Sequence, residues 1–158
     1  MKRIWAPWRV EYIRGSKEKA CIFCQKPRED DDTSNYVLFR GKSNLVMLNK
    51  YPYNPGHLMV APYKHISSLD GLGQEELFEH FDLVRKSVRV LTEVYKPAGF
   101  NIGINMGKVA GAGVEDHIHT HIVPRWNGDT NFITVVSDVR VIPEALAATY
   151  ENLKGSFA

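Results

Sequence analysis

The chain has little cysteine: two in 158 residues, Cys21 and Cys24. That count excludes a disulfide-stapled secreted scaffold. It also lacks any apolar run close to the ~20 residues of a membrane-spanning helix. Its first residues, Met1-Lys2-Arg3-Ile4-Trp5-Ala6-Pro7-Trp8-Arg9, carry no apolar core of the secretory-signal kind. The expected compartment is therefore the cytoplasm, where both thiols stay reduced. Charge of one sign is not in excess. The 20 Lys and Arg stand against 18 Asp and Glu, so the net of +2 gives no reason to expect nucleic acid or a membrane as partner. Internal repeats and low-complexity tracts are missing too. A hydrophobic content of 44% over this length suits one domain with a real core.

What is present is a concentration of histidine. The chain has six, and three of them, His117, His119 and His121, fall at alternate positions. In a strand, residues i, i+2 and i+4 share a face. The three imidazoles would then line one side, with Ile118, Thr120 and Ile122 on the other. A helix would splay them apart. Pro124 suits the end of such a strand, or an edge. Imidazoles in a row can bind a metal ion, or one of them can act as a nucleophile.

Cys21 and Cys24 form a C-x-x-C. No βαβ pattern follows it, so half of a zinc site is a better reading than a redox pair. Residues 1–20 form an N-terminal arm with Trp5, Trp8 and Tyr12 among Arg3, Arg9 and Arg14, and residues 21–158 form a single domain. The acidic run 29–32 reads as a solvated connector. Residues 36–40 and 44–49 read as two strands of a hairpin around Gly41-Lys42-Ser43. Residues 51–56 are loop chemistry, and 57–62 make a third strand, with His65 close behind. Leu77, Phe81, Val84, Val88, Leu91 and Tyr95 repeat at intervals of four and three, which predicts a helix over 73–96 with that stripe in the core. His80 lies off the stripe and reads as a surface residue. Pro97 and Gly99 stop the helix.

Residues 100–105 alternate like a strand. Gly107 to Gly113 then make a glycine-rich loop. It is not a Walker loop, because neither Ser nor Thr follows Gly107-Lys108 and no helix comes next. Its N–H groups can approach phosphate oxygens. The runs 132–136 and 139–142 are β-like, and Pro143 suits the start of a last helix to about Lys154. The order of elements predicts an α+β fold: a central, mostly antiparallel sheet with one long helix and a short C-terminal helix.

The segment His117-Ile118-His119-Thr120-His121-Ile122-Val123 resembles the histidine triad (HIT) family signature, His-φ-His-φ-His-φ-φ, with Thr120 in place of one φ. Asn49, the stretch from Gly56-His57 to Pro62, and Asn105 extend the resemblance. It implies a HIT-like fold, a homodimer sharing one sheet, and chemistry on nucleotides. The middle histidine, His119, would attack an α-phosphorus and carry the nucleotidyl group. His121 and the backbone of Gly113 would donate to non-bridging oxygens, and His57 would orient the nucleophile's tautomer. Asn49 would contact ribose, and Asn105 phosphate. In C-x-x-C members two cysteines and two histidines bind a structural zinc, which here maps to Cys21, Cys24, His65 and His117. Catalytic residues would then be His119, His121 and His57.

Residues 105–132, together with Pro7-Trp8-Arg9 and residues 48–54, resemble the bacterial diadenosine tetraphosphate phosphorylase subgroup of that family. There inorganic phosphate resolves the intermediate, and Trp126 would shape the acceptor or base pocket. Two alternatives stay open. One is a hydrolase of dinucleoside polyphosphates or nucleoside phosphoramidates, and the other is a non-catalytic nucleotide-binding scaffold.

Overall fold

A computed structural model describes residues 20–129 and 142–157. The expectations for residues 1–19 of the arm, for the run 132–136, and for 139–142 apart from Ile142 lie outside the described residues. Five strands form one antiparallel sheet in the order β1-β2-β3-β5-β4. They are β1 (Val37–Arg40), β2 (Asn44–Leu48), β3 (Leu58–Pro62), β4 (Gly99–Ile104) and β5 (Thr120–Arg125). The hairpin at 41–43 joins β1 to β2 as expected. Two short helices, α1 (Ile22–Gln25) and α2 (Asp32–Asn35), precede the sheet. The long helix α3 (Gln74–Tyr95) lies between β3 and β4, and α4 (Leu146–Lys154) follows the sheet.

Each sheet face buries its own apolar set. Val46, Leu48, Leu58, Val60 and Ile122 pack against Leu83, Val84, Val90 and Leu91 of α3 and Tyr150 and Leu153 of α4. Val37, Leu45, Met47, Met59 and Ala61 turn the other way and enclose Phe23 of α1. This is strand alternation at work. No helix among the described residues is long and apolar enough to cross a membrane.

α3 starts where the Glu76 carboxylate accepts from the Gly73 N–H at 2.7 Å. It ends at Lys96, in the left-handed region at φ 47°, ahead of Pro97. Its buried stripe is His80, Leu83, Val84, Ser87, Val90 and Leu91. This corrects the apolar stripe read from the sequence. Phe81 is 46% exposed, whereas His80 is fully buried. The reason is polar pairing. Two side chains on the buried face satisfy hydrogen bonds there: His80 with Asn44 Oδ1 and Thr120 Oγ1, at 2.8 and 2.7 Å, and Ser87 with the Leu83 carbonyl at 2.7 Å.

Burial pushes His80 down from 6.5 to about 4. The unfolded chain therefore takes up this proton near pH 6.5, and the native ring only near pH 4. Stability present above pH 6.5 is lost as pH falls through that window. A shift of this size is worth about 3 kcal/mol. Urea titrations at stepped pH are expected to show wild type losing up to about 3 kcal/mol more than His80→Gln between pH 6.5 and 4.

Pro124 is the penultimate residue of β5, at the end of the strand as expected, though β5 is flanked by β3 and β4 and is not a sheet edge. It is tolerated because pairing with β3 has ended by then: Leu58↔Ile122 is the last pair. The Pro124 carbonyl accepts instead from Asn54 Nδ2 at 2.8 Å. Gly56 lies between them at φ +76°, and a Cβ there would come within 3.0 Å of Leu91 Cδ2. Only glycine fits that turn into His57.

Candidate active site and metal centre

Pairing of β5 with β3 starts at Val60↔Thr120, and with β4 at Ile104↔Thr120. His117, Ile118 and His119 therefore precede the laddered strand. Other ties hold them: the Ile118 N–H donates to the Ile66 carbonyl at 2.7 Å, and His117 Nε2 donates to the Pro62 carbonyl at 2.7 Å. Thr120 and Ile122 face α3. His121, paired with Met59, faces away from it, toward the side that encloses Phe23.

The hydrogen bonds fix where each ring carries its proton. His119 Nδ1 donates to the His117 carbonyl at 2.9 Å. Burial lowers the His119 pKa, so the ring is neutral and its Nε2 holds a lone pair. Among the described residues, no side-chain nitrogen sealed from solvent lacks a partner, and only Nδ1 of this ring is bonded, so Nε2 reaches solvent. The backbone N–H of Tyr53 donates to His57 Nδ1 at 3.1 Å, which leaves the proton of His57 on Nε2. That proton is donated to His121 Nδ1 at 2.9 Å. His121 in turn keeps its proton on Nε2. Burial, with His121 and His119 adding repulsion, takes His57 down to about 3. Burial, reinforced by His119, takes His121 to about 4. All three rings are neutral near pH 7. The result is an unprotonated nitrogen on His119 beside an N–H donor on His121, with ring centroids 4.7 Å apart. Such a pair can supply a nucleophile and an electrophilic partner side by side. The sequence reading had His57 orient the nucleophile; the bond to His119 Nδ1 comes instead from the His117 carbonyl, and His57 meets His121.

Cys21, Cys24, His65 and His117 bring their ligand atoms within 4.8 Å of one another. Cys21 Sγ lies 3.3 Å and Cys24 Sγ 3.5 Å from His117 Nδ1. His65 Nδ1 lies 3.2 Å from both Cys24 Sγ and His117 Nδ1. Tetrahedral coordination by sulfur at ~2.3 Å and nitrogen at ~2.05 Å puts ligand atoms roughly 3.3–3.8 Å apart, so the set fits a tetrahedral ion. The Pro62 carbonyl takes the Nε2 proton of His117 and turns its Nδ1 lone pair inward, the usual support for a ligating imidazole. Both cysteines are free thiols.

Asn105 directly follows Ile104, whose strand partner Thr120 directly follows His119. Asn49 is tied beside the site: its N–H donates to the His57 carbonyl at 2.9 Å, and its Oδ1 accepts from the Tyr51 N–H at 2.9 Å. Gly113 is exposed in the loop before the histidines, where a Cβ would meet nothing within 4 Å. Trp126 is not brought to this site. It packs on Tyr95 with ring centroids 6.5 Å apart, at the far end of β5. Seven residues of extended chain separate it from His119, roughly 23 Å.

Sequence reasoning missed Phe23. Its ring lies 4.7 Å from that of His119 and 5.2 Å from that of His117, a wall shared by both centres. The only signal was its place between the two cysteines. Tyr53 was missed as well, with its ring centroid 4.7 Å from that of His57.

Proteins of known sequence and structure resemble this chain. AP-4-A phosphorylase of Mycobacterium tuberculosis is 40% identical over 167 residues, spanning 100% of this chain and 85% of that protein. The asymmetrical bis(5'-nucleosyl)-tetraphosphatase of Schizosaccharomyces pombe is 38% identical over 93 residues, 59% of this chain and 50% of that protein. The crystal structure of a Zn-bound histidine triad family protein from Mycobacterium smegmatis superposes with TM-score 0.67 at 26% identity, covering 87% of this chain and 93% of that one. The HIT domain model matches residues 31–128, from α2 through the histidine row to the turn after β5. The fold, the paired imidazoles and this match agree, and the chain belongs to the HIT family.

Proposed function

We propose that the chain is a diadenosine tetraphosphate phosphorylase. The observation that carries the reading is the proton arrangement at the histidine row: a bare, solvent-reaching Nε2 on His119 next to an N–H on His121. The 40% identity to AP-4-A phosphorylase, over the full chain, supports the substrate. His119 Nε2 attacks the α-phosphorus of one adenosine. The bond from that phosphorus to the bridging oxygen breaks, ATP leaves, and the adenylyl group stays on Nε2. Inorganic phosphate then attacks the same phosphorus, displaces the imidazole and yields ADP. His121 Nε2–H, Asn105 and the Gly113 N–H donate to the non-bridging oxygens, where positioning and charge neutralisation set the rate. Asn49 holds the ribose.

Zinc is the ion assigned to Cys21, Cys24, His65 and His117. Four protein ligands leave no open position, so its role is to staple α1 and the loop after β3 onto the histidine row. Two thiolate ligands require reducing conditions, which matches the cytoplasm. A second copy of the chain pairs along the edge of β4, which is the outermost strand among the described residues and where Ile102 is 48% exposed. This makes the enzyme a homodimer.

The test is product analysis by ion-exchange chromatography after incubation with diadenosine tetraphosphate. ADP plus ATP, formed only when phosphate is present, is the expected result. AMP plus ATP without phosphate would replace phosphorolysis by hydrolysis. Binding without turnover would leave a nucleotide-binding scaffold.

A further inference from the structure

We infer that His80 is a positioning residue for the histidine row, acting through Thr120. The inference rests on the catalytic reading above and goes beyond it. Thr120 is the first residue of β5 with strand partners on both sides, and the nucleophile precedes it by one position. His119 therefore hangs from the end of the ladder. On the face carrying the active site it is held by its neighbour His117 and by Phe23. On the opposite face the tie is the hydrogen bond between His80 and Thr120, 2.7 Å long and closed to solvent.

His80 is itself held from behind. Asn44 Nδ2 donates to the Glu76 carbonyl and to Glu79 Oε2, both at 3.0 Å, so Asn44 Oδ1 is left to accept from His80 Nδ1 at 2.8 Å. With its proton on Nδ1, the neutral ring accepts from the Thr120 hydroxyl at Nε2. Glu79 also accepts from the backbone N–H groups of Lys42 and Ser43 at 2.6 and 2.7 Å. The chain of bonds runs from the β1–β2 turn, over β3, to the residue between His119 and His121. Thr120 stands where the family pattern has an apolar residue, and His80 stands on a helix face otherwise filled mainly by apolar side chains. Each departure supplies the other's partner. An apolar residue at either position alone would orphan a buried polar group.

The two bonds can be separated by substitution. The side-chain amide of Asn reaches about as far as Nδ1, and that of Gln about as far as Nε2. His80→Asn keeps the Asn44 bond and loses Thr120; His80→Gln keeps Thr120. The expected result is a kcat drop of ten-fold or more in His80→Asn, with KM within two-fold and metal content unchanged, against a kcat within three-fold of wild type in His80→Gln. The ring carbon–proton signals of His119 and His121 in NMR spectra should shift in His80→Asn and stay in place in His80→Gln. Equal kcat in the two variants, or ring signals that move in both or in neither, overturns the inference. If His80→Asn does not fold, Thr120→Val against Thr120→Ser makes the same separation. Failure of wild type to turn over the dinucleotide would sink the proposed function alone, because the ring signals are read without substrate.

Discussion

Replacing His119 by Asn is expected to lower turnover of diadenosine tetraphosphate by at least about 1,000-fold, the scale on which nucleophile removal acts. Asn is the informative choice. Its amide can still donate to the His117 carbonyl, as Nδ1 does at 2.9 Å, so the local fold is retained while Nε2 disappears. The role of His121 is different. In the proposed reaction its Nε2–H donates to the phosphoryl oxygens, and loss of one such donor costs about 100- to 1,000-fold in rate. His121→Ala should therefore still accumulate an adenylylated protein, which acid quenching with radiolabelled substrate detects, whereas His119→Asn should show none. Label retained on His119→Asn would show that the wrong imidazole has been named as nucleophile.

Removal of the metal is expected to have the second large effect. An ion held at 1,000 times its Kd stabilises the native state by about 4 kcal/mol. For a chain of this size each kcal/mol moves Tm by about 2–4 °C, so chelation should lower Tm by roughly 8–16 °C. Cys24→Ser should act in the same direction. Activity should fall with it, because His117 carries both a nitrogen of the cluster and the carbonyl that orients His119. A chelated protein with wild-type Tm and wild-type turnover would remove the cluster from the account. Metal analysis of the untreated protein identifies the ion.

Much of this site was legible in the chain because it is local. Alternation at every second residue is a strand signal, and the histidine row carries it even though the ladder starts only at Thr120. The hairpin, the third strand and the long helix follow from turn residues and periodicity in the same way. What was not legible is tertiary. His80 was read as surface because a stripe drawn from apolar residue types cannot register a polar group whose partners, Asn44 and Thr120, come from distant strands. Phe81 was read as core for the complementary reason: it fits the period, but the helix is rotated to bury His80. His65 emerged as a ligand through family resemblance, since nothing in its own neighbourhood marks it. Trp126 follows the histidines closely in sequence, yet strand geometry carries it to the opposite end of the sheet.

The four donors of the cluster come from three stretches of chain, with Cys21 and His117 96 positions apart. During synthesis the two thiols leave the ribosome long before the last imidazole exists. For that interval the nascent chain has only a half-formed chelate, and its sulfurs are exposed to oxidants and to competing soft ions. An ion assigned to this cluster would therefore be loaded late, only after His117 has been made.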